Sequence, residues 1–144
     1  MSTLAPKRIA ESNVQLAQLM EPSDANVTGN VHGGTLMKLA DTAGAITAVR
    51  HAGGRVVTVE VDSMTFLEPV HVGDLLLLQS RITWVGRSSM ETEVIIDAEN
   101  IRAGTRRRVS TAFLVFVGLG EDGRPREVPP LLLETDEDRR VNAE

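Results

Sequence analysis

Within sixteen residues, from Asn26 to Asp41, the chain carries an amide, a glycine pair and a carboxylate. The stretch Asp24-Ala25-Asn26-Val27-Thr28-Gly29-Asn30-Val31-His32-Gly33-Gly34-Thr35 reads as a polar loop running straight into a helix. Gly33 and Gly34 have no Cβ, so backbone N–H groups at the helix start stay open to a ligand. The partial positive charge of a helix N-terminus favours an oxyanion or a phosphate there. Two turns further on, Asp41 stands among Ala40, Ala43, Gly44 and Ala45, a setting too apolar for a solvated face. An amide, an oxyanion cradle and a partly desolvated carboxylate are the parts needed to hydrolyse an activated acyl group.

The scaffold that must position them is legible in outline. Residues 13–20 fit a short strand or a turn of helix equally, and residues 21–34 form a loop rich in Pro, Ser, Asp, Asn and Gly. A helix is predicted from 35 to about 51, apolar or small around most of its circumference and therefore buried on most sides. Gly53-Gly54 ends it. The period then changes to two. Val57, Val59 and Val61 alternate with Thr58, Glu60 and Asp62, as in a half-buried strand. Strands follow over 75–85, 89–99 and 107–117, separated by turns at Gly86-Arg87-Ser88 and Ala103-Gly104. Residues 134–144 are charged and read as a frayed tail. The predicted class is α+β, with an antiparallel sheet curled around one central helix. Segments 75–78 and 109–117 are apolar on both faces, which implies cover from another subunit.

Composition removes several functions. The chain has 144 residues, enough for one domain, and a net charge of −5, which argues against a general nucleic-acid binder. It has no cysteine and three isolated histidines, so neither a disulfide framework nor a metal site is expected. No signal peptide or membrane-length apolar run is seen, and a cytoplasmic protein is expected. With 3% aromatics, the core must be built from Val, Leu, Ile, Ala and Met.

The ordered pieces resemble the hotdog-fold acyl-CoA thioesterases, in the cytosolic acyl-CoA hydrolase (YciA-like) branch. The match runs through Asp24-Ala25-Asn26-Val27, Gly29-Asn30-Val31-His32-Gly33-Gly34, Asp41 with Ala43-Gly44-Ala45, Arg50-His51 and Val56-Val57-Thr58. It continues through Asp62-Ser63-Met64 with Phe66, Val72-Gly73-Asp74, Val85-Gly86-Arg87-Ser88-Ser89-Met90, Phe113-Leu114-Val115-Phe116-Val117 and Val128-Pro129-Pro130. The resemblance implies a hotdog domain over 11–131, an N-terminal extension over 1–10 and a charged C-terminal tail over 132–144. It also implies hydrolysis of acyl-CoA to free acid and CoA without a cofactor. Two hotdogs would pair into a continuous sheet as a homodimer, assembling further into a homohexamer as a trimer of dimers. A single repeat is seen, so the second hotdog is expected from another chain.

Site residues follow from the same resemblance. Asp41 corresponds to the acid that activates water or attacks directly, and its own surroundings do not choose between base and nucleophile. In its loop alone Asn26 reads as an Asx turn; the resemblance gives it a catalytic part opposite the acid of the partner subunit. Asn30 reads as a turn residue. The Gly34 N–H is expected to polarise the thioester carbonyl, with Gly33 beside it in substrate binding. His32 has no support as a base, and His51 and His71 read as helix-end and turn residues. Arg87, Ser88 and Ser89 combine a guanidinium, hydroxyls and open N–H groups suited to CoA phosphates. Thr58 is expected to line the acyl or pantetheine channel. Arg106-Arg107-Arg108 reads as a solvated strand edge, with alternation sending Arg107 opposite to its neighbours; a nucleotide phosphate is the other use open to it. A hotdog dehydratase needs a histidine acting with a carboxylate, and none here has that support. The rival from another class is a non-catalytic acyl-CoA-binding hotdog module, which would be expected to lack Asn26 or Asp41 and to carry an added partner-binding segment.

Overall fold

The computed structural model describes residues 4–143. Helix α1 spans Gly33–Ala52, so both glycines lie inside its first turn, two residues ahead of the predicted start. Gly53 takes the left-handed conformation, φ 71°, and its N–H donates to Val49 O, closing the helix as its composition indicates.

Strands β2 (Val14–Leu19), β3 (Val56–Phe66), β4 (Leu75–Val85), β5 (Ser89–Asn100) and β6 (Thr105–Gly118) form one antiparallel sheet in the order β2-β4-β5-β6-β3. The ambiguous segment before the helix is thus a strand, fixed by pairing from Val14 with Ser80 to Leu19 with Leu75. The sheet wraps α1. Its inner face supplies Leu76, Leu78, Ile82, Met90, Val94, Ile96, Leu114 and Phe116, all buried. Against them α1 lays a stripe of small residues, Ala40, Ala43, Gly44, Thr47 and Ala48. The reason is spacing: a Cβ on Gly44 would lie 2.8 Å from Thr92 Oγ1 and 3.1 Å from the Phe116 ring. Thr47 Oγ1 donates to Ser80 Oγ at 2.8 Å, so its buried polar group is satisfied.

The two ends depart from expectation. Residues 1–3 lie outside the described region, but β1 (Lys7–Arg8) pairs in parallel with β7 (Leu131–Leu132), and Ile9 is buried. The tail predicted to fray instead forms helix α2 (Asp136–Ala143), with Val141 buried. It lies where β2 stops covering β4: Asn142 Nδ2 donates to Thr83 O at 3.1 Å. The approach to α2 is tied down by His51, whose Nε2 donates to Pro129 O at 2.6 Å. His51 is fully buried, deeper than a helix-end residue is expected to be. The arginine run alternates as predicted. Arg107 donates to Pro69 O and Asp74 Oδ2, while Arg106 and Arg108 pair with Asp97. All three are engaged within the domain.

Candidate active site

Asn26 occupies an exposed loop tip whose conformation it sets itself. Its Oδ1 accepts from Thr28 N at 3.0 Å, Thr28 Oγ1 at 2.6 Å and Asn30 N at 3.2 Å. Backbone bonds from Asn26 N to Asn30 O and from Gly29 N to Asn26 O close the turn. The Asx-turn role and a role toward a ligand are therefore compatible. Oδ1 is used by the loop, and the two Nδ2 protons are what Asn26 has left to offer.

Beside it, Gly33 and Gly34 open α1. His32 is the N-cap residue but makes no side-chain cap bond, and Thr35 N already turns back to His32 O at 3.0 Å. The Gly33 and Gly34 N–H groups are the first donors of the helix and have no partner inside it. Both glycines are exposed, and a Cβ on Gly34 would meet nothing within 4 Å. A Cβ on Gly33 would lie 3.6 Å from the Phe66 ring, an ordinary contact. Asn26, Asn30, Gly33, Leu36, Phe66 and Val70 line one cleft of about 380 Å³.

Asp41 stands elsewhere. It is half-buried on the α1 face that meets β3, and Thr58 Oγ1 donates to its Oδ1 at 2.7 Å. Thr58 was expected along the substrate channel; its bond to the carboxylate is what sequence reasoning missed. Seventeen residues separate the two, and only the packing of α1 on β3 reveals the pair. The bond holds one carboxylate oxygen and leaves Oδ2 for other chemistry.

The turn carrying Arg87, Ser88 and Ser89 joins β4 to β5. In the sheet, Thr58 faces Phe116 and Phe116 faces Met90, so this turn is about 10 Å across the sheet from Thr58, two strand spacings. Its backbone is fastened: Val128 N donates to Arg87 O, Gly118 N to Ser88 O and Gly86 N to Ser89 O. The Arg87 side chain is exposed and makes no ion pair among the described residues. Within one protomer, then, Asp41, Thr58 and the Arg87 turn share one end of β3, and the Asn26–Gly33 cleft lies at the Phe66 end. Another cleft, of about 290 Å³ beside Gln15 and Gln79, has its charged residues Arg81 and Glu93 paired to each other. Among the described residues no cluster of three His, Asp or Glu side chains is placed to hold a metal ion, and no helix is long and apolar enough to cross a membrane.

A curved antiparallel sheet around one long helix is the hotdog architecture. The family model of the thioesterase superfamily matches residues 28–105, and the chain belongs to that superfamily. It is 35% identical over 137 residues to the mouse cytosolic acyl coenzyme A thioester hydrolase, covering 94% of this chain and 36% of the mouse protein. The chain thus spans about a third of the length of the mammalian relatives it matches. In three dimensions it resembles an apo, hexameric acyl-CoA thioesterase, with a TM-score of 0.92, 33% identity, and coverage of 97% and 90% of the two chains. It also resembles an acyl-CoA hydrolase from Staphylococcus aureus solved with butyryl coenzyme A and coenzyme A, with a TM-score of 0.88, 34% identity, and coverage of 95% and 84%. That hydrolase has also been solved as alanine variants of an aspartate, an asparagine and a threonine.

Proposed function

We propose that this protein hydrolyses acyl-CoA thioesters to a carboxylic acid and CoA. The observation that carries the reading is the Asp41–Thr58 pair, a half-buried carboxylate held by one oxygen where α1 meets an open edge strand. The family and the named activities of its relatives support it. So does spacing. The asparagine, aspartate and threonine varied in the Staphylococcus enzyme are fifteen and then seventeen residues apart, as are Asn26, Asp41 and Thr58.

Asp41 Oδ2 takes the proton of a water that attacks the thioester carbonyl, or attacks that carbon itself; Thr58 fixes the carboxylate for either step. The Asn26 amide, donating through Nδ2, and the Gly34 N–H receive the carbonyl oxygen as it gains charge. Removing one such donor typically costs about 10²–10³ in rate. The tetrahedral intermediate collapses by breaking the C–S bond, and CoA leaves as the thiolate. In the water route that thiolate recovers the proton held by Asp41; where Asp41 attacks, a water then hydrolyses the acyl–aspartyl anhydride to release the acid. Gly33 adjoins the acyl group, and Arg87, Ser88 and Ser89 meet the CoA phosphates. No metal or cofactor enters these steps.

One protomer separates the two halves of this site, and a two-fold axis reunites them. β3 has eleven residues with Val61 at its centre. Antiparallel pairing of two such edges about Val61 sets the Phe66 end of one beside the Thr58 end of the other. Each Asn26–Gly33 cleft then adjoins the Asp41 of the second copy. The homodimer is the smallest active unit, and the hexameric structural relative supports a trimer of such dimers. A cytosolic location is supported by the name of the mouse relative.

The test is thiol release from a panel of acyl-CoAs of increasing chain length, with wild type and Asp41→Asn compared. Turnover should fall by about 10³ or more in a folded, assembled variant. Wild-type turnover in Asp41→Asn would remove the assignment, and CoA-ester binding without hydrolysis by the wild type would identify a non-catalytic binding module.

A further inference from the structure

Trp84 is the one tryptophan of a chain otherwise poor in aromatics, and 46% of it is exposed. It stands on β4 two residues before Gly86 and is held there by the glycine. A Cβ at Gly86 would lie 2.7 Å from Trp84 Cη2 and 2.8 Å from Ser89 Oγ. The indole and the Ser89 hydroxyl therefore converge on the same side of the turn, in space that only glycine leaves free. Next in sequence is Arg87, exposed and unpaired among the described residues, in contrast to the engaged Arg81, Arg106, Arg107 and Arg108. Glu91, directly across from Trp84, would repel an anion, but its Oε1 accepts from Thr83 Oγ1 at 2.8 Å and is held toward that residue.

We propose that Trp84 is the stacking platform for the adenine ring of the CoA nucleotide, beside the Arg87 guanidinium that meets its phosphate. The proposal rests on the acyl-CoA reading above and extends it to the base. A half-exposed indole three residues from an unneutralised cation on the same turn is matched by a ligand that is both planar and anionic, as a purine nucleotide is. The turn beneath it is fixed by the backbone bonds to Val128, Gly118 and Ser89, so little has to be ordered when the ligand arrives. The consequence is selectivity for whole CoA over its pantetheine fragment.

As the only tryptophan, Trp84 reports on itself. In the assembled protein, adenosine 3′,5′-bisphosphate should quench its emission, and pantetheine should not. Trp84→Leu should raise KM for an acyl-CoA about tenfold relative to KM for the matching acyl-pantetheine, with kcat for the acyl-CoA little changed; Trp84→Phe should recover most of that ratio. Quenching without hydrolysis of any acyl-CoA supports the platform and overturns the hydrolase reading. Hydrolysis with no quenching and an unchanged KM ratio overturns the platform alone. Blue-shifted emission that the bisphosphate leaves unmoved would mean that a second copy covers Trp84, and also overturns it.

Discussion

The two edges of the sheet are finished in opposite ways. On the β2 side, β4 outruns its partner strand, and the exposed stretch is closed from within the chain: α2 sits against it, Asn142 Nδ2 takes up Thr83 O, and Glu137 lies 3.7 Å from Arg81. On the β3 side nothing in the described chain closes the edge. Val57, Val59, Val61 and Phe66 are 41–54% exposed along one strand. An edge strand of that length, with four exposed apolar side chains beside its two charges, Glu60 and Asp62, and no covering element among the described residues, is open to pairing with another strand. On the proposed reading, the second edge is where another copy of the chain pairs. The open edge is also where Asp41 and Thr58 meet, so the proposed assembly and the proposed chemistry share a border.

The sharpest way to break this contrast is to place a further charge at the centre of the open edge, between Glu60 and Asp62. Val61→Glu sets two carboxylates against each other across the proposed axis, and like charges juxtaposed in an interface cost several kcal/mol. The expected result is a folded protomer in sedimentation velocity with hydrolysis reduced at least about a hundredfold. A fully assembled and active Val61→Glu protein would mean that the copies do not join through β3.

Complementation measures the same border with smaller amplitude. Asn26→Ala and Asp41→Asn proteins, each inactive, are mixed 1:1 under conditions that exchange subunits. Half the dimers are then mixed, and each holds one doubly lesioned site and one intact site, so about a quarter of full activity is the ceiling. Exchange demonstrated by mass, with no recovered activity, would place Asn26 and Asp41 in the same protomer's site.

The closed edge should respond in stability and not in rate. Asn142→Ala leaves Thr83 O without its donor and should cost about 1 kcal/mol in urea unfolding, with turnover unchanged. A large loss of turnover would show that α2 serves the site as well as the fold.

The same two edges mark how far the sequence could be read. The β3 strand was legible because Val57, Val59 and Val61 alternate with polar residues, but the half-burial expected of that pattern is not found: all three valines are exposed, and Thr58 from the polar set is the residue that meets α1. The small-residue helix was legible for a similar reason: Ala40, Ala43, Gly44 and Ala48 have no polar face to give to water. What escaped depends on distant contacts. Val14–Leu19 is too short for its period to decide, and its pairing with β4 decides it. Helix α2 has one buried apolar side chain, Val141, in a charged octamer, so its composition resembles that of a disordered tail until its docking against β4 is seen. For the proposed site, Asn26, Gly34 and Asp41 were candidates from sequence and family resemblance, but the hydrogen bond from Thr58 to Asp41 was not legible there. Neither residue type signals the other at that separation.

The last effect expected lies in the strap that leads to α2; it is absent at neutral pH and grows only as pH falls. His51 donates from Nε2 to Pro129 O, while its Nδ1 is buried with no partner. Burial pushes the pKa of His51 below the usual histidine value, partly opposed by the Pro129 carbonyl; Lys7 pushes down as well and Glu11 pulls up. The folded protein therefore prefers the neutral ring more strongly than the unfolded chain does. Above the unfolded value, about 6.5, both states are neutral and the contribution to stability is complete. As pH falls below it, the unfolded chain binds the proton first, and stability drops toward the lowered folded pKa with a slope of up to about 1.4 kcal/mol per pH unit. His51→Gln retains an amide donor for Pro129 O but cannot titrate. Urea unfolding of wild type and His51→Gln between pH 7.5 and pH 5 should therefore give curves that differ in slope below about pH 6.5. Parallel curves across that window would show that His51 binds the strap without making it sensitive to acid.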